Sequence, residues 1–187
     1  MTGAAGLPRP TSEILDFRPP SPEDLPHLVA LQTDAATMRY YGGVQEHANI
    51  ERRLQRAIEH DQRLGYGLWS LYERQSGDFM GIGGFIRYNF DFDAASIEPV
   101  VCLKHEAQRR GYGRHIVERL HAWAHEAGLL HLTLGRVEVA HEQMAKLIAS
   151  YEGHPRYPMT RCPADPEGRY LFYRLVPPPE PGATPAR

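Results

Sequence analysis

The apolar positions of the chain follow two periods. Ile97–Leu103 (Ile-Glu-Pro-Val-Val-Cys-Leu) is a short run rich in β-branched residues and predicts a buried strand. After it, Ile116, Val117, Leu120, Trp123, Ala124 and Ala127 form one stripe at helical spacing, closed by Gly128 where a helix favours a left-handed residue. Ile50, Leu54, Ala57 and Ile58 mark another amphipathic helix, His47–Leu64, with charges on its opposite side. Leu15–Arg18, Gly67–Glu73 and Phe79–Asn89 read as strands. Ser21-Pro22-Glu23-Asp24 opens a helix, with serine as N-cap, proline in the first turn and carboxylates at the positive end of the dipole.

Downstream, Leu130, Leu132 and Leu134 alternate as a strand requires. Glu142–Glu152 predicts a helix with Met144, Leu147, Ile148 and Tyr151 on one face, and Tyr170–Val176 predicts the last strand. Strand, helices, a three-strand meander, helix, strand, helix and strand make an α/β chain: a mixed sheet with helices on its faces. Residues 1–13 read as a flexible N-terminal tail, 14–176 as one domain, and 177–187 as a proline-rich disordered tail.

Composition narrows the function. A length of 187 residues favours one domain, and 42% apolar with 24% charged residues suits a globular core. A net charge of −2 makes no electrostatic case for nucleic acid or a membrane surface as partner. Met1–Glu13 has no apolar core of signal-peptide length, and no run approaches the roughly 20 apolar residues of a membrane span. The expected location is therefore the cytoplasm, as a monomer or homodimer. Two cysteines suggest no disulfide framework, and Cys102 reads as a small core residue. His121 and His125 lie four apart, as zinc pairs do, but Ala-Trp-Ala stands between them and no third ligand is evident. They read as a solvated helix face, and no metal is expected.

The chemistry concentrates between the strand and the helical stripe, at Gln108-Arg109-Arg110-Gly111-Tyr112-Gly113. Free backbone N–H groups, the positive end of a helix dipole and two arginines converge there, a combination that binds phosphate. A Rossmann turn fits less well, because no third glycine stands in register. Gly81-Ile82-Gly83-Gly84 is also glycine-rich, but Phe85-Ile86-Arg87-Tyr88 continues as strand, so it reads as close backbone packing.

Gln-x-x-Gly-x-Gly directly after a strand resembles the acetyl-CoA signature of the GNAT family of N-acetyltransferases. The resemblance runs from about Ile14 to Val176 and is nearest to the RimJ/RimL-type branch. It is carried by Leu15-Asp16-Phe17-Arg18-Pro19, Ser21-Pro22-Glu23-Asp24-Leu25, Met38-Arg39-Tyr40-Tyr41-Gly42-Gly43, Trp69, Gly81–Gly84 and the Gln108–Gly113 turn. It implies a mixed, mostly antiparallel central sheet with helices on both faces and a splayed strand pair for acetyl-CoA. The activity implied is acetyl transfer from acetyl-CoA, as co-substrate, to a primary amine on a small molecule or a protein N-terminus, by direct attack on the thioester. A non-catalytic acyl-CoA-binding or sensor protein on the same fold is the alternative.

The same resemblance assigns residues. Val100, Val101, Cys102 and Leu103 would offer their splayed backbone to the pantetheine arm, with the amide of Val101 or Cys102 as oxyanion donor. Gln108, Arg109, Arg110, Gly111, Tyr112, Gly113 and Arg114 would hold the phosphates. Glu98 would act as general base through water, since an amine must lose a proton to react. Pro99, lacking an N–H, suits a strand that splays from its neighbour. Where the family has Asn-x-x-Ser or Asn-x-x-Ala, this chain has His141 and Met144. His141 could still bond an amide carbonyl of the pantetheine arm, whereas Met144 cannot protonate sulfur. Tyr151 is the helical hydroxyl left for that role, although its phase also suits core packing. Tyr40, Tyr41, Trp69 and Tyr88 are candidates for the acceptor pocket.

Overall fold

The computed structural model describes residues 8–163 and 165–179. Four strands form one antiparallel sheet in the order β1 (Leu15–Arg18), β2 (Leu68–Glu73), β3 (Phe79–Arg87), β4 (Ile97–Leu103). A second antiparallel sheet has the order β5 (Gly135–Glu138), β7 (Tyr170–Leu175), β6 (Met159–Arg161). The helices are α1 (Leu25–Thr33), α2 (Ala35–Met38), α3 (His47–Leu64), α4 (Tyr112–Glu126) and α5 (Glu142–Ala149). The two sheets meet where Ile97 bridges Thr133 in parallel and the Leu134 N–H donates to the Ile97 carbonyl at 2.9 Å.

Side-chain alternation divides the first sheet between two cores. On one face, Ile116, Leu120 and Trp123 of α4 pack with Trp69, Phe85 and Ile97. On the other, Leu28, Leu31, Ile50 and Leu54 of α1 and α3 pack with Ile82 and Cys102. Each such buried aliphatic side chain contributes about 1.5–3 kcal/mol. The glycines of β3 serve this packing. A Cβ on Gly83 would lie 3.2 Å from Ile116 Cγ2, and one on Gly84 would lie 2.0 Å from the Gly67 carbonyl oxygen.

Several boundaries differ from the sequence expectation. Leu130–Leu132 is a single 3-10 turn and the strand begins only at Gly135. The buried Thr133 hydroxyl donates to the Leu130 carbonyl at 2.7 Å and accepts the Leu175 N–H at 2.9 Å, taking up backbone groups that a strand would pair. The last helix stops at Ala149, three residues early, and Tyr151 lies past its end. β6 was not anticipated. The N-terminal tail is held from Pro8 onward: the Trp123 indole N–H donates to the Pro8 carbonyl at 2.8 Å, and Ser12 bonds His115 at 2.7 Å. Residues 1–7 and most of the C-terminal tail lie outside the described residues. His121 is turned into the core, with Nε2 on the Pro158 carbonyl at 3.0 Å, rather than onto a solvated face. No helix among the described residues is long and apolar enough to cross a membrane.

Candidate active site

β4 has one paired edge and one open edge. The Lys104 N–H donates to Met80 and the Tyr88 N–H to Ser96, which fixes the phase of the β3–β4 ladder. Glu98, Val100 and Cys102 therefore bond toward β3, while Ile97, Pro99, Val101 and Leu103 turn their backbone groups outward. The outward carbonyls confirm it: Ile97 accepts from Leu134, Val101 accepts from the Tyr41 hydroxyl, and Leu103 accepts from Gln108 Nε2 at 3.0 Å. Pro99 falls in the outward set, so its missing N–H costs the ladder nothing. The Val101 N–H also faces the open edge, whereas that of Cys102 faces β3.

The glycine turn follows. Arg109 and Gly111 adopt positive φ, 60° and 88°, and α4 begins at Tyr112. The His115 N–H makes the first helical bond, to the Gly111 carbonyl at 3.1 Å, so the preceding N–H groups have no helical partner. Nothing lies within 4 Å of an imagined Cβ on Gly111 or Gly113, and Arg109, Arg110 and Arg114 are exposed around them. The Tyr112 side chain points inward instead, donating to the Glu73 carboxylate and anchoring the helix start to β2. That bond holds the Glu73 carboxyl below its ordinary range.

From Ile97 the two sheets diverge, leaving a cleft of about 360 Å³ between β4 and β5. The Arg136 Nε–H donates to Glu98 at 2.8 Å across it, and Arg136 Nη1 donates to the Tyr88 hydroxyl at 3.0 Å. Glu98 is only 7% exposed. Burial pushes its carboxyl above the usual range, and Arg136 pulls it partly back. The Cys102 thiol lines the same cleft and is pushed up to about 12 by burial, so it stays protonated.

The sequence model of the acetyltransferase (GNAT) domain matches residues 15–152. The chain belongs to the GNAT acetyltransferase family. It is therefore an acyltransferase, with the splayed sheet expected of that fold. No curated protein sequence matches it. Similar solved structures include an acetyltransferase from Agrobacterium tumefaciens, at TM-score 0.70 and 17% identity, covering 90% of this chain and 94% of that one. The spermidine N-acetyltransferase from Vibrio cholerae, in complex with CoA and spermine, aligns at TM-score 0.64 and 16% identity over 88% and 94% of the two chains. RimL, the ribosomal L7/L12 α-N-protein acetyltransferase, in complex with coenzyme A, aligns at 0.63 and 16% over 89% and 94%.

Within this GNAT chain the cleft gathers Glu98, Val100, Val101, Cys102, His141, Tyr40 and Tyr41. Tyr40 stacks on His141 with ring centres 4.3 Å apart and planes at 11°. Burial lowers the His141 imidazole, which favours its neutral form. Met144 lines the cleft with no proton to give. Tyr88 reaches it through Arg136, but Trp69 does not: its ring is sealed between Phe17 and Trp123. Leu103 likewise turns its side chain into the α4 core. Tyr151 is fully buried away from the cleft walls, donating to Glu118 at 2.9 Å. Sequence reasoning missed Arg136, Gln32 and Tyr173, which also line the cleft. The one available signal for Arg136 was a charge inside an otherwise apolar alternation.

Proposed function

We propose that the protein transfers an acetyl group from acetyl-CoA to a primary amine by direct attack. The observation that carries this reading is the continuity of three features: the open edge of β4, the uncapped start of α4, and the buried carboxylate of Glu98 on the same strand, three residues before Val101. The arrangement suits coenzyme A. The free N–H groups before His115, with the exposed arginines, would take the pyrophosphate, and the outward backbone of β4 would take the pantetheine amides. When bound, acetyl-CoA supplies an activated acyl group.

The protein's own residues supply the rest. The register supports Val101 rather than Cys102 as the oxyanion donor, because of the two only the Val101 N–H faces the open edge. The Tyr41 hydroxyl on the Val101 carbonyl holds the adjoining peptide, Val101–Cys102, in place. Glu98 takes the amine proton through water, and Arg136 fixes the orientation of its carboxylate. Alternation puts Glu98 and Arg136 on the α1–α3 face and the phosphate turn on the α4 face. The amine therefore enters from the side opposite the nucleotide.

Thiol release from acetyl-CoA over a panel of primary amines, including peptides with free N-termini, tests the reading. Glu98→Gln should lower turnover by about 10²–10⁴-fold while leaving acetyl-CoA affinity near normal. The loss should shrink at high pH, where free amine accumulates. Binding of acetyl-CoA without turnover of any amine would favour a non-catalytic acyl-CoA sensor.

A further inference from the structure

The helix after β5 offers nothing to the departing sulfur: Met144 has no proton, and the Tyr151 hydroxyl is committed to Glu118. A phenol from another strand reaches the cleft. Tyr173 of β7 stands directly opposite Gly135 of β5. A Cβ on Gly135 would lie 2.2 Å from Tyr173 Cζ, so the ring lies flat across the glycine. No side chain larger than hydrogen fits beneath it. The strand carries glycine there, and the phenol extends over β5 into the splay.

We propose that Tyr173 is the hydrogen-bond donor to the coenzyme A sulfur as the acyl group leaves. The inference rests on the acetyl-transfer reading above. Three observations support it. Tyr173 lines the cleft, and its hydroxyl has no hydrogen-bond partner among the described residues and is not among the sealed polar atoms. Gly135, Val137 and Tyr173 share the α4 face, the side of the phosphate turn, while Glu98 and Arg136 stand on the other. Glu98 and Tyr41 line the same cleft, so the phenol shares its walls with the buried carboxylate and with the side chain on the Val101 carbonyl.

Burial raises the phenol above its ordinary range, and Glu98 adds to this, so it keeps its proton at neutral pH. A thiol ionises near 8.5. The phenol therefore donates a hydrogen bond rather than transferring its proton. The bond from amine nitrogen to acyl carbon forms, the carbon–sulfur bond breaks, and the electron pair goes to sulfur. The amine's proton passes through water to Glu98 and is released to solvent, and the thiolate takes one proton from solvent.

The test uses Tyr173→Phe, which keeps the ring on Gly135. Binding of coenzyme A and desulfo-coenzyme A at pH 9 is measured by calorimetry on both proteins. Wild type should bind the thiolate form about tenfold tighter than the desulfo form, and Tyr173→Phe should bring the ratio near one with desulfo affinity unchanged. Turnover should fall at least about tenfold with little change in the KM for acetyl-CoA. Gly135→Ala, whose methyl displaces the ring, should lower the binding ratio as well. An identical ratio in wild type and Tyr173→Phe overturns the assignment. Because the ratio needs no acceptor, it decides the role of Tyr173 even if no amine is acetylated, in which case only the transfer reading fails.

Discussion

Arg136 donates to Glu98 at 2.8 Å and so ties β5 to β4 on the face opposite α4. The pair crosses the cleft where the two sheets begin to part. Its cation also reaches the Tyr88 hydroxyl, which fixes the guanidinium plane and, through it, the carboxylate.

Replacing Arg136 with methionine should keep the unbranched apolar stem and remove the charge that lowers the Glu98 carboxyl. Burial then acts alone and the carboxyl moves further up. The acid limb of the kcat/KM profile should shift to higher pH. Activity at pH 6 should fall by between about 10- and 10⁴-fold, the upper bound being loss of the base itself, and should largely recover by pH 9. A uniform loss at every pH would show that Arg136 acts on binding alone.

At the glycine turn before α4, Gly111→Asp should abolish the stabilisation by acetyl-CoA. The residue sits at φ 88°, which disfavours a side chain, and the new carboxylate would face the phosphates. Wild type at about 100 times the dissociation constant should gain roughly 2.7 kcal/mol. Thermal-shift titration reads both. Equal shifts in a folded variant would place the pyrophosphate elsewhere.

Tyr151→Phe should leave turnover within about tenfold of wild type, or roughly 1.4 kcal/mol of barrier. It should cost about 1 kcal/mol of stability through the lost bond to Glu118. Steady-state kinetics beside urea unfolding separate the two effects. A collapse of turnover in a stable variant would make Tyr151 the acid after all.

His60 should make the fold acid-sensitive. It is fully buried, with one ring nitrogen on the Tyr66 carbonyl at 3.0 Å and the other accepting the Arg87 N–H at 2.9 Å, so the ring must be neutral. Burial lowers it from 6.5 to about 4. Its contribution is fully present above pH 6.5 and is lost as pH falls toward 4, on the order of 3 kcal/mol. His115, His121 and His141 are also lowered by burial and act in the same direction. Urea unfolding at pH 7.5 and pH 4.5 should show the loss, and His60→Gln should reduce it.

The chain's local sequence alone determined most elements and the glycine turn before α4. The α4 stripe, the His47–Leu64 helix and the Ile97–Leu103 strand are each written in residues close together, where a 3.6 or a 2.0 repeat can be read directly. Gly111 and Gly128 were legible for the same reason, since a positive φ is a local demand. Tertiary structure decided what depends on residues far apart. Glu98 was visible, but Arg136, 38 positions away, becomes its partner only when β5 folds beside β4. Val101 rather than Cys102 faces the open edge because of the β3–β4 register, which no single strand encodes. Tyr151 was the helical hydroxyl left for the thiolate although its phase suited core packing; α5 ends before it, and the packing of α4 gives its hydroxyl to Glu118. Tyr173 enters the cleft because Gly135 stands opposite it. Local repeats specify which face of an element is buried, but only the pairing of distant strands brings particular side chains together.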